Sequence, residues 1–378
     1  MSAAGVPPDA GAIRQLLDHE RPPSIGVEEE LMLLDPQSLD LSPRAAELLD
    51  RLPQDAGYKL ELPAAQLEQM TTPCGSVGDV VEQLFALRKR LNAALAEEAV
   101  PVAAGAHAFA SALGQLNSGD RYARIEREYG VAIRAQLICG LHIHVALAGA
   151  ARVLAVYNAL RSYLPELAAL GANAPLYQGQ DTGMASVRPL VAGLLPRQGV
   201  PPAFADWEEF AGSLAWAARG GRIGGAREWW WELRVHPEFG TLEIRVPDAQ
   251  TTVAQAGALA AVGATLILYL AARHDAGDLP APAPSWRIAE NRWSAARHGV
   301  HGQLVDLETG EPVPTRRRLR GLLDELAPFA PPFGAEPWLE RAGHMVEHNG
   351  ADSQRDSFAS DGMEGVMRRL GSGFLDAP

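Results

Sequence analysis

The chain predicts an α+β fold on a mostly antiparallel sheet. Its β-prone segments stand singly or as one hairpin among helices, without the regular strand–helix alternation of a parallel sheet. A hairpin is expected around Pro237-Glu-Phe-Gly240, with Trp229 to Val235 and Thr241 to Val246 as its arms. Three apolar β-prone runs also set two polar side chains at i and i+2: Glu28 and Glu30, His142 and His144, Glu243 and Arg245. Residues two apart in a strand point to one face, so each pair would project onto one side of a sheet. Val27, Ile143 and Ile244 would lie on the other side.

The elements follow in order. After a segment expected to be flexible, residues 1–23, Ser24 to Leu34 reads as a strand closed by the turn Asp35-Pro36. Ser42-Pro43 opens a helix through Leu52, with proline at the first helical position. Tyr58 to Leu62 and Gln66 to Thr71 are short extended pieces split by Pro63-Ala-Ala. Val77 to Ala99 carries an apolar stripe of Val80, Val81, Leu84, Leu87, Leu91 and Leu95, the pattern of an amphipathic helix. Val100 to Ala104 is a strand, Ile133 to Ala146 carries the two histidines, and Ala151 to Leu170 is a helix. Val253 to Ala272 is almost uncharged and long enough to cross a bilayer. Its alanine and glycine content and polar start favour a buried core helix instead. Residues 276–284 form a loop, and the chain beyond is mainly helical. Because the polar pairs lie on both sides of every earlier boundary, residues 24–378 read as one domain.

Composition narrows the function. With 378 residues the chain can build a large core, and 47% apolar with 21% charged residues is ordinary for a globular protein. The net charge of −13 argues against a nucleic-acid partner. The basic run Arg316, Arg317, Arg318, Arg320 follows Thr315, a helix N-cap candidate, and reads as a solvated helix face. Two cysteines, Cys74 and Cys139, without CxxC spacing suit a reduced cytoplasmic protein, and the N-terminus lacks the pattern of a signal peptide.

Several polar groups sit where burial would be costly without a cation. In Gly26-Val-Glu-Glu-Glu30 the apolar flanks suggest a central strand, so Glu28 and Glu30 need a partner, and carboxylate oxygens suit Mg²⁺ or Mn²⁺. Glu61 and Glu68 also lie in apolar surroundings. Cys139-Gly-Leu-His-Ile-His-Val145 puts two imidazoles on one face, which invites a ligand reading. In the hairpin, Glu232 and Arg234 would share a face, as would Glu243 and Arg245. Cross-strand ion pairing explains part of this. Arginines beside a carboxylate metal site also suit phosphoryl transfer. No P-loop and no GxSxG elbow is present. Gly220-Gly-Arg-Ile-Gly-Gly225 reads as a loop that could act as a lid.

Taken in order, Gly26-Val-Glu-Glu-Glu30, Glu61-Leu-Pro-Ala-Ala-Gln-Leu-Glu-Gln69, Cys139-Gly-Leu-His-Ile-His-Val145 and the Trp229–Asp248 hairpin resemble the glutamate–cysteine ligase type 2 family and its YbdK-type carboxylate–amine ligases. The resemblance runs from about Ser24 to the end. It implies a curved sheet forming a funnel wrapped by helices, as in glutamine synthetase. It implies an enzyme that uses ATP and Mg²⁺ to turn the γ-carboxylate of glutamate into an acyl phosphate, which an amine such as cysteine then converts to an amide. It matches metal ligands to Glu28, Glu30, Glu61, Glu68, His142 and Glu243, and sets Arg245 near the transferred phosphate. Arg188 matches a second phosphate or acyl-phosphate arginine, and Arg234 lies in a nucleotide-site motif. His144 and His107 fall in family-like motifs without an assigned role. The branch also implies a homodimer. Two other readings remain open on residues alone: a nucleotide- or metabolite-binding protein without turnover, and a metal-dependent hydrolase using His142 and His144.

Overall fold

In the computed structural model, which describes residues 9–53, 57–220 and 225–378, the strands are β1 (Ile25–Leu34), β2 (Tyr58–Leu60), β3 (Gln66–Met70), β4 (Val100–Val102) and β5 (Leu141–Ala146). They continue with β6 (Leu176–Tyr177), β7 (Gln180–Asp181), β8 (Leu233–Val235), β9 (Thr241–Ile244), β10 (Gln303–Val305) and β11 (Pro312–Pro314). Seven build one sheet in the order β2-β3-β1-β5-β9-β8, with β4 also paired to β1; β6-β7 and β10-β11 are separate ribbons. Every pairing in the large sheet is antiparallel. The sheet stays open, with β2 and β8 as its ends.

Register fixes what each face carries. Glu28 lies opposite His142 and Met70, Glu30 opposite Glu68, and Lys59 opposite Glu68. His144 and Arg234 both lie opposite Glu243. One face is therefore a row of charged and imidazole side chains, as the alternation predicts. The other face is apolar: Ile25, Val27, Leu141, Ile143, Leu242, Ile244 and Leu233 are all buried. Each contributes about 1.5–3 kcal/mol by leaving water.

The apolar face is covered by the helices Val77–Leu95 and Val253–Ala276. Thr252 and Gln255 close a capping box at the start of the second helix. Its small residues allow close packing. A Cβ on Gly263 would stand 3.1 Å from Cδ1 of Ile244, and one on Gly257 would overlap Val81. The stretch that could have crossed a membrane is 83% buried inside the fold.

Glu29, on the apolar side of β1, is fully buried and held by Arg88 (Nε to Oε2 3.0 Å) and by the Gln69 amide (2.8 Å). Arg88 also donates to the carbonyls of Gln250, Thr251 and Phe374. This closed network ties β1 to the chain's far end and leaves neither charge unpaired, which is what makes its burial tolerable.

Several sequence expectations shift. The segment expected to be flexible contains the helix Ala10–Asp18, capped by Asp9, with Ile13 and Leu17 fully buried and Asp18 accepting from the Ala150 amide (2.8 Å). The first hairpin arm shortens to Leu233–Val235, since residues 229–232, which follow a 3-10 turn at Ala226–Glu228, do not pair as strand. Glu232 therefore does not share a strand with Arg234 and instead pairs with Arg292 (2.8 Å). The basic run is on a helix, Thr315–Leu326, but Pro314 rather than Thr315 occupies the cap, and Arg318 is drawn inward to the buried Glu166. The candidate lid falls largely on residues 221–224, outside the described residues.

Candidate active site

The polar face of the sheet is the floor of a cleft of about 850 Å³, a volume suited to a nucleotide-sized ligand. β1 supplies Glu28 and Glu30, β3 Glu68, β5 His142 and His144, and β9 Glu243. Glu61, just past β2, and Arg245, just past β9, join from the strand ends. The sequence grouped these residues from four separate stretches, and the fold brings them side by side.

Three trios offer ligand atoms that lie within 4.8 Å of one another: Glu28 with Glu68 and His142; Glu28 with His144 and Glu243; Glu30 with Glu61 and Glu68. Nδ1 of His142 is 3.4 Å from Glu28, and Nε2 of His144 is 3.6 Å from the same carboxylate. Nε2 of both histidines is buried and has no hydrogen-bond partner among the described residues. Buried polar atoms are rarely left so, and a cation among the carboxylates would complete both imidazoles. The donor set therefore fits divalent cations. His144, which the sequence left without a role, belongs to one trio.

Charge balance differs along the row. Burial, then repulsion from Glu30 and Glu68, pushes the Glu61 carboxyl well above its ordinary range. Burial and Glu28 push Glu68 up as well, although Lys59 stands 3.2 Å away. Glu243 is also buried, but the guanidinium groups of Arg234 and Arg245 outweigh that and hold it well below the usual carboxylate range. Glu28 is held low against its burial by hydrogen bonds with His142 and His144. The end of the row near Glu61 is thus short of positive charge, and the end near Glu243 is already neutralised.

The arginines divide accordingly. Both Nε and Nη2 of Arg234 meet Glu243, and Nη1 donates to the carbonyls of Arg227 and Trp229, so four of its five N–H groups are engaged inside the protein. Arg245 touches Glu243 (2.5 Å) and Nδ1 of His142 (3.3 Å) through Nη1 alone, leaving the rest of its fork towards the cleft. Arg188 is not in the row. It lines a side chamber of about 170 Å³ that shares Glu30, Glu61, Trp230 and Arg245 with the main cleft. His107 is remote from both: its Nε2 meets the Leu39 carbonyl and Nδ1 accepts from Phe109 and Ala110, a structural role.

Several site residues escaped sequence reasoning. The helix Asp120–Tyr129 borders the cleft with Arg121, Arg124 and Tyr129, and has no buried residue of its own. Its arginines three apart were the available signal. Tyr129 packs edge-on against Trp230 (5.3 Å), and Arg197 holds both, stacked over Trp230 and donating to the Tyr129 hydroxyl. His236 also lines the cleft. Its Nδ1 accepts from Glu238 and Phe239, and burial lowers its pKa to about 3, so it stays neutral.

The model of a family described as glutamate–cysteine ligase family 2 matches residues 24–371. The chain belongs to that family. As a family member it is an ATP-dependent enzyme of the carboxylate–amine ligase kind. A putative glutamate–cysteine ligase 2-3 of Rubrobacter xylanophilus is 40% identical over 349 residues, covering 90% of this chain and 94% of its own. A putative glutamate–cysteine ligase 2 of Thermobifida fusca is 36% identical, covering 88% and 85%. The fold is shared with the glutamate–cysteine ligase of Francisella tularensis, solved in complex with AMP. The TM-score is 0.70 at 12% identity, covering 94% of this chain and 90% of that one. In this family member, the open antiparallel sheet positions the acidic row.

Proposed function

We propose that this chain uses ATP with Mg²⁺ or Mn²⁺ to join the γ-carboxylate of glutamate, or a related carboxylate, to an amine, with cysteine the nominal acceptor and γ-glutamylcysteine the nominal product. The observation that carries this is the row of carboxylates and imidazoles on one sheet face, forming three overlapping trios beside the partly free fork of Arg245. The residues that would hold cations are Glu28, Glu30, Glu61, Glu68, His142, His144 and Glu243. The all-carboxylate trio suits Mg²⁺, while the two containing histidine also suit Mn²⁺. Held by these residues, divalent cations would supply positive charge that offsets the negative charge developing during phosphoryl transfer.

The remaining work falls to the chain itself. Arg245, held by Glu243, presents a planar fork to the phosphoryl group that moves to the substrate carboxylate. Arg234 fixes Glu243 and so acts as a positioning residue. Arg121 and Arg124, at the cleft border, bring positive charge to a nucleotide's phosphates. Tyr129 and Trp230 line the cleft and would help to shield an acyl phosphate from water. A single domain is supported by a core running from Ile13 to Val346. Two free, buried cysteines suit the cytoplasm, and a homodimer is the expected assembly, testable by sedimentation.

The test is phosphate release from ATP by the purified protein with Mg²⁺ and glutamate, across a panel of amines that includes cysteine. Release requiring both glutamate and one amine, with a γ-glutamyl product of matching mass, is expected. Binding of ATP with no release under any combination would favour a protein without turnover. Hydrolysis stimulated by Zn²⁺ without ATP would favour a hydrolase.

A further inference from the structure

The helix Asp120–Tyr129 borders the main cleft without docking on the core. All its residues are exposed or half-buried. Arg121, Arg124, Ile125, Glu128 and Tyr129, which line the cleft, fall at the spacing of one helix face. Helices in folded chains draw most of their stability from an apolar face packed on the core. This one lacks such a face.

The chain is pinned just outside the helix. On one side the Asn117 side chain donates to the Glu61 carbonyl (2.7 Å) and its backbone amide to that of Leu62 (3.0 Å). On the other, the Arg134 carbonyl accepts from the Gly114 amide (2.9 Å), and Ile133 is fully buried. Between these anchors and the helix stand Gly119 and Gly130, with φ of 124° and 57°, a region that glycine enters freely. A Cβ on Gly130 would meet no atom within 4 Å, so the backbone, not close packing, calls for glycine there.

One residue ties this helix to the opposite wall. Arg197 sits at φ 60°, a costly conformation for a non-glycine residue that persists where its surroundings fix it. Two of its contacts go to a single segment: Nε donates to the Glu228 carbonyl (2.9 Å), and Cζ lies 5.0 Å from the Trp230 ring centroid. The third crosses to the helix, where Nη2 donates to the Tyr129 hydroxyl (2.8 Å).

We propose that the helix Asp120–Tyr129 is a lid hinged at Gly119 and Gly130, and that Arg197 is the positioning residue that latches it, releasing at the Tyr129 hydroxyl. Its part in the reaction rests on the ligase reading. With the lid latched, the amine nitrogen attacks the acyl carbon and the bond to phosphate breaks, leaving the amide. With the lid loose, water attacks the same carbon, and the carboxylate returns with phosphate released and no amide formed.

The experiment begins with hydrogen exchange, read by mass spectrometry on the full chain without nucleotide. Arg197→Leu should speed exchange of the amides of residues 120–129 by on the order of tenfold, the weight of one hydrogen bond from a charged donor, with the sheet unchanged. Tyr129→Phe removes only the accepting hydroxyl and should do the same; it serves alone if Arg197→Leu does not fold. Equal exchange in wild type and variants would overturn the latch, as would faster exchange spread over the whole chain. With ATP, Mg²⁺, glutamate and the accepted amine, phosphate released per amide formed should rise severalfold in both variants. A ratio unchanged from wild type would overturn the water-excluding role. A wild-type chain without turnover would remove the ligase reading and that role with it, while the exchange result still decides the latch.

Discussion

Glu61→Gln should stabilise the cation-free protein while abolishing its cation-dependent turnover. Glu30, Glu61 and Glu68 offer oxygens within 4.8 Å of one another. Two unit charges at that separation repel by about 3.5 kcal/mol at an effective dielectric near 20. Glu61 faces two such neighbours, and its raised pKa reflects burial first and then both of them. Uptake of a proton and the charge of Arg245 relieve most of this repulsion, leaving roughly 1–3 kcal/mol that a neutral amide of the same shape would recover. Urea melts in a chelating buffer at neutral pH should show a higher midpoint for Glu61→Gln with the slope unchanged. Added Mg²⁺ should stabilise wild type more than the variant. A variant less stable than wild type without cations, or one keeping wild-type turnover with Mg²⁺, would refute this reading of the trio.

Three more outcomes follow from the same geometry. Glu61 and Glu68 titrate above the ordinary 4.5 in the folded chain, so their contribution to stability is full below that pH and falls as pH rises through the folded values. Glu28 and Glu243 titrate below it, so theirs is present above 4.5 and is lost in acid. In chelator the contribution of Glu61 and Glu68 to the melting temperature should therefore fade as pH rises above 4.5, and Mg²⁺ should offset that loss; identical profiles would count against cation binding. Arg245→Lys keeps one contact with Glu243 but loses the planar fork, and kcat should fall by about a hundredfold or more; a kcat within threefold (about 0.6 kcal/mol) would remove Arg245 from phosphoryl transfer. Glu29→Gln should cost about 3–5 kcal/mol in urea melts by leaving the buried Arg88 without its carboxylate. The Mg²⁺ concentration giving half-maximal activity should stay unchanged; a shifted value would mean that Glu29 reaches the site.

The site face was legible because strand alternation depends only on near neighbours. Glu28 with Glu30 and His142 with His144 fall on one side whatever their partners are. Pairing across strands was not legible: only the register shows that His144 lies opposite Glu243 and that Glu68 crowds Glu30. Glu29 is the sharper case. Its sequence neighbours mark it as one of three acids, yet it turns to the apolar side, where Arg88, 59 residues on, supplies the opposite charge. Arg318 looked like part of a solvated basic run until Glu166, 152 residues earlier, drew it inward. The helix Ala10–Asp18 was missed because its short apolar set, Ile13 and Leu17, gains its stability from docking rather than from its own length. The Asp120–Tyr129 helix buries none of its residues, so no apolar stripe announced that it borders the cleft.

The most direct test of the central claim follows the oxygen of the substrate carboxylate. Glutamate labelled with heavy oxygen in its γ-carboxylate is incubated with ATP, Mg²⁺ and the amine that supports turnover, and the released phosphate is examined by mass spectrometry. Attack of that carboxylate on the terminal phosphate, followed by displacement by the amine, must carry one labelled oxygen into phosphate for each amide formed. Labelled phosphate in step with the γ-glutamyl product is the expected result. Unlabelled phosphate alongside the amide would mean that the carboxylate is not activated by phosphoryl transfer, and would contradict the role given to the acidic row and Arg245.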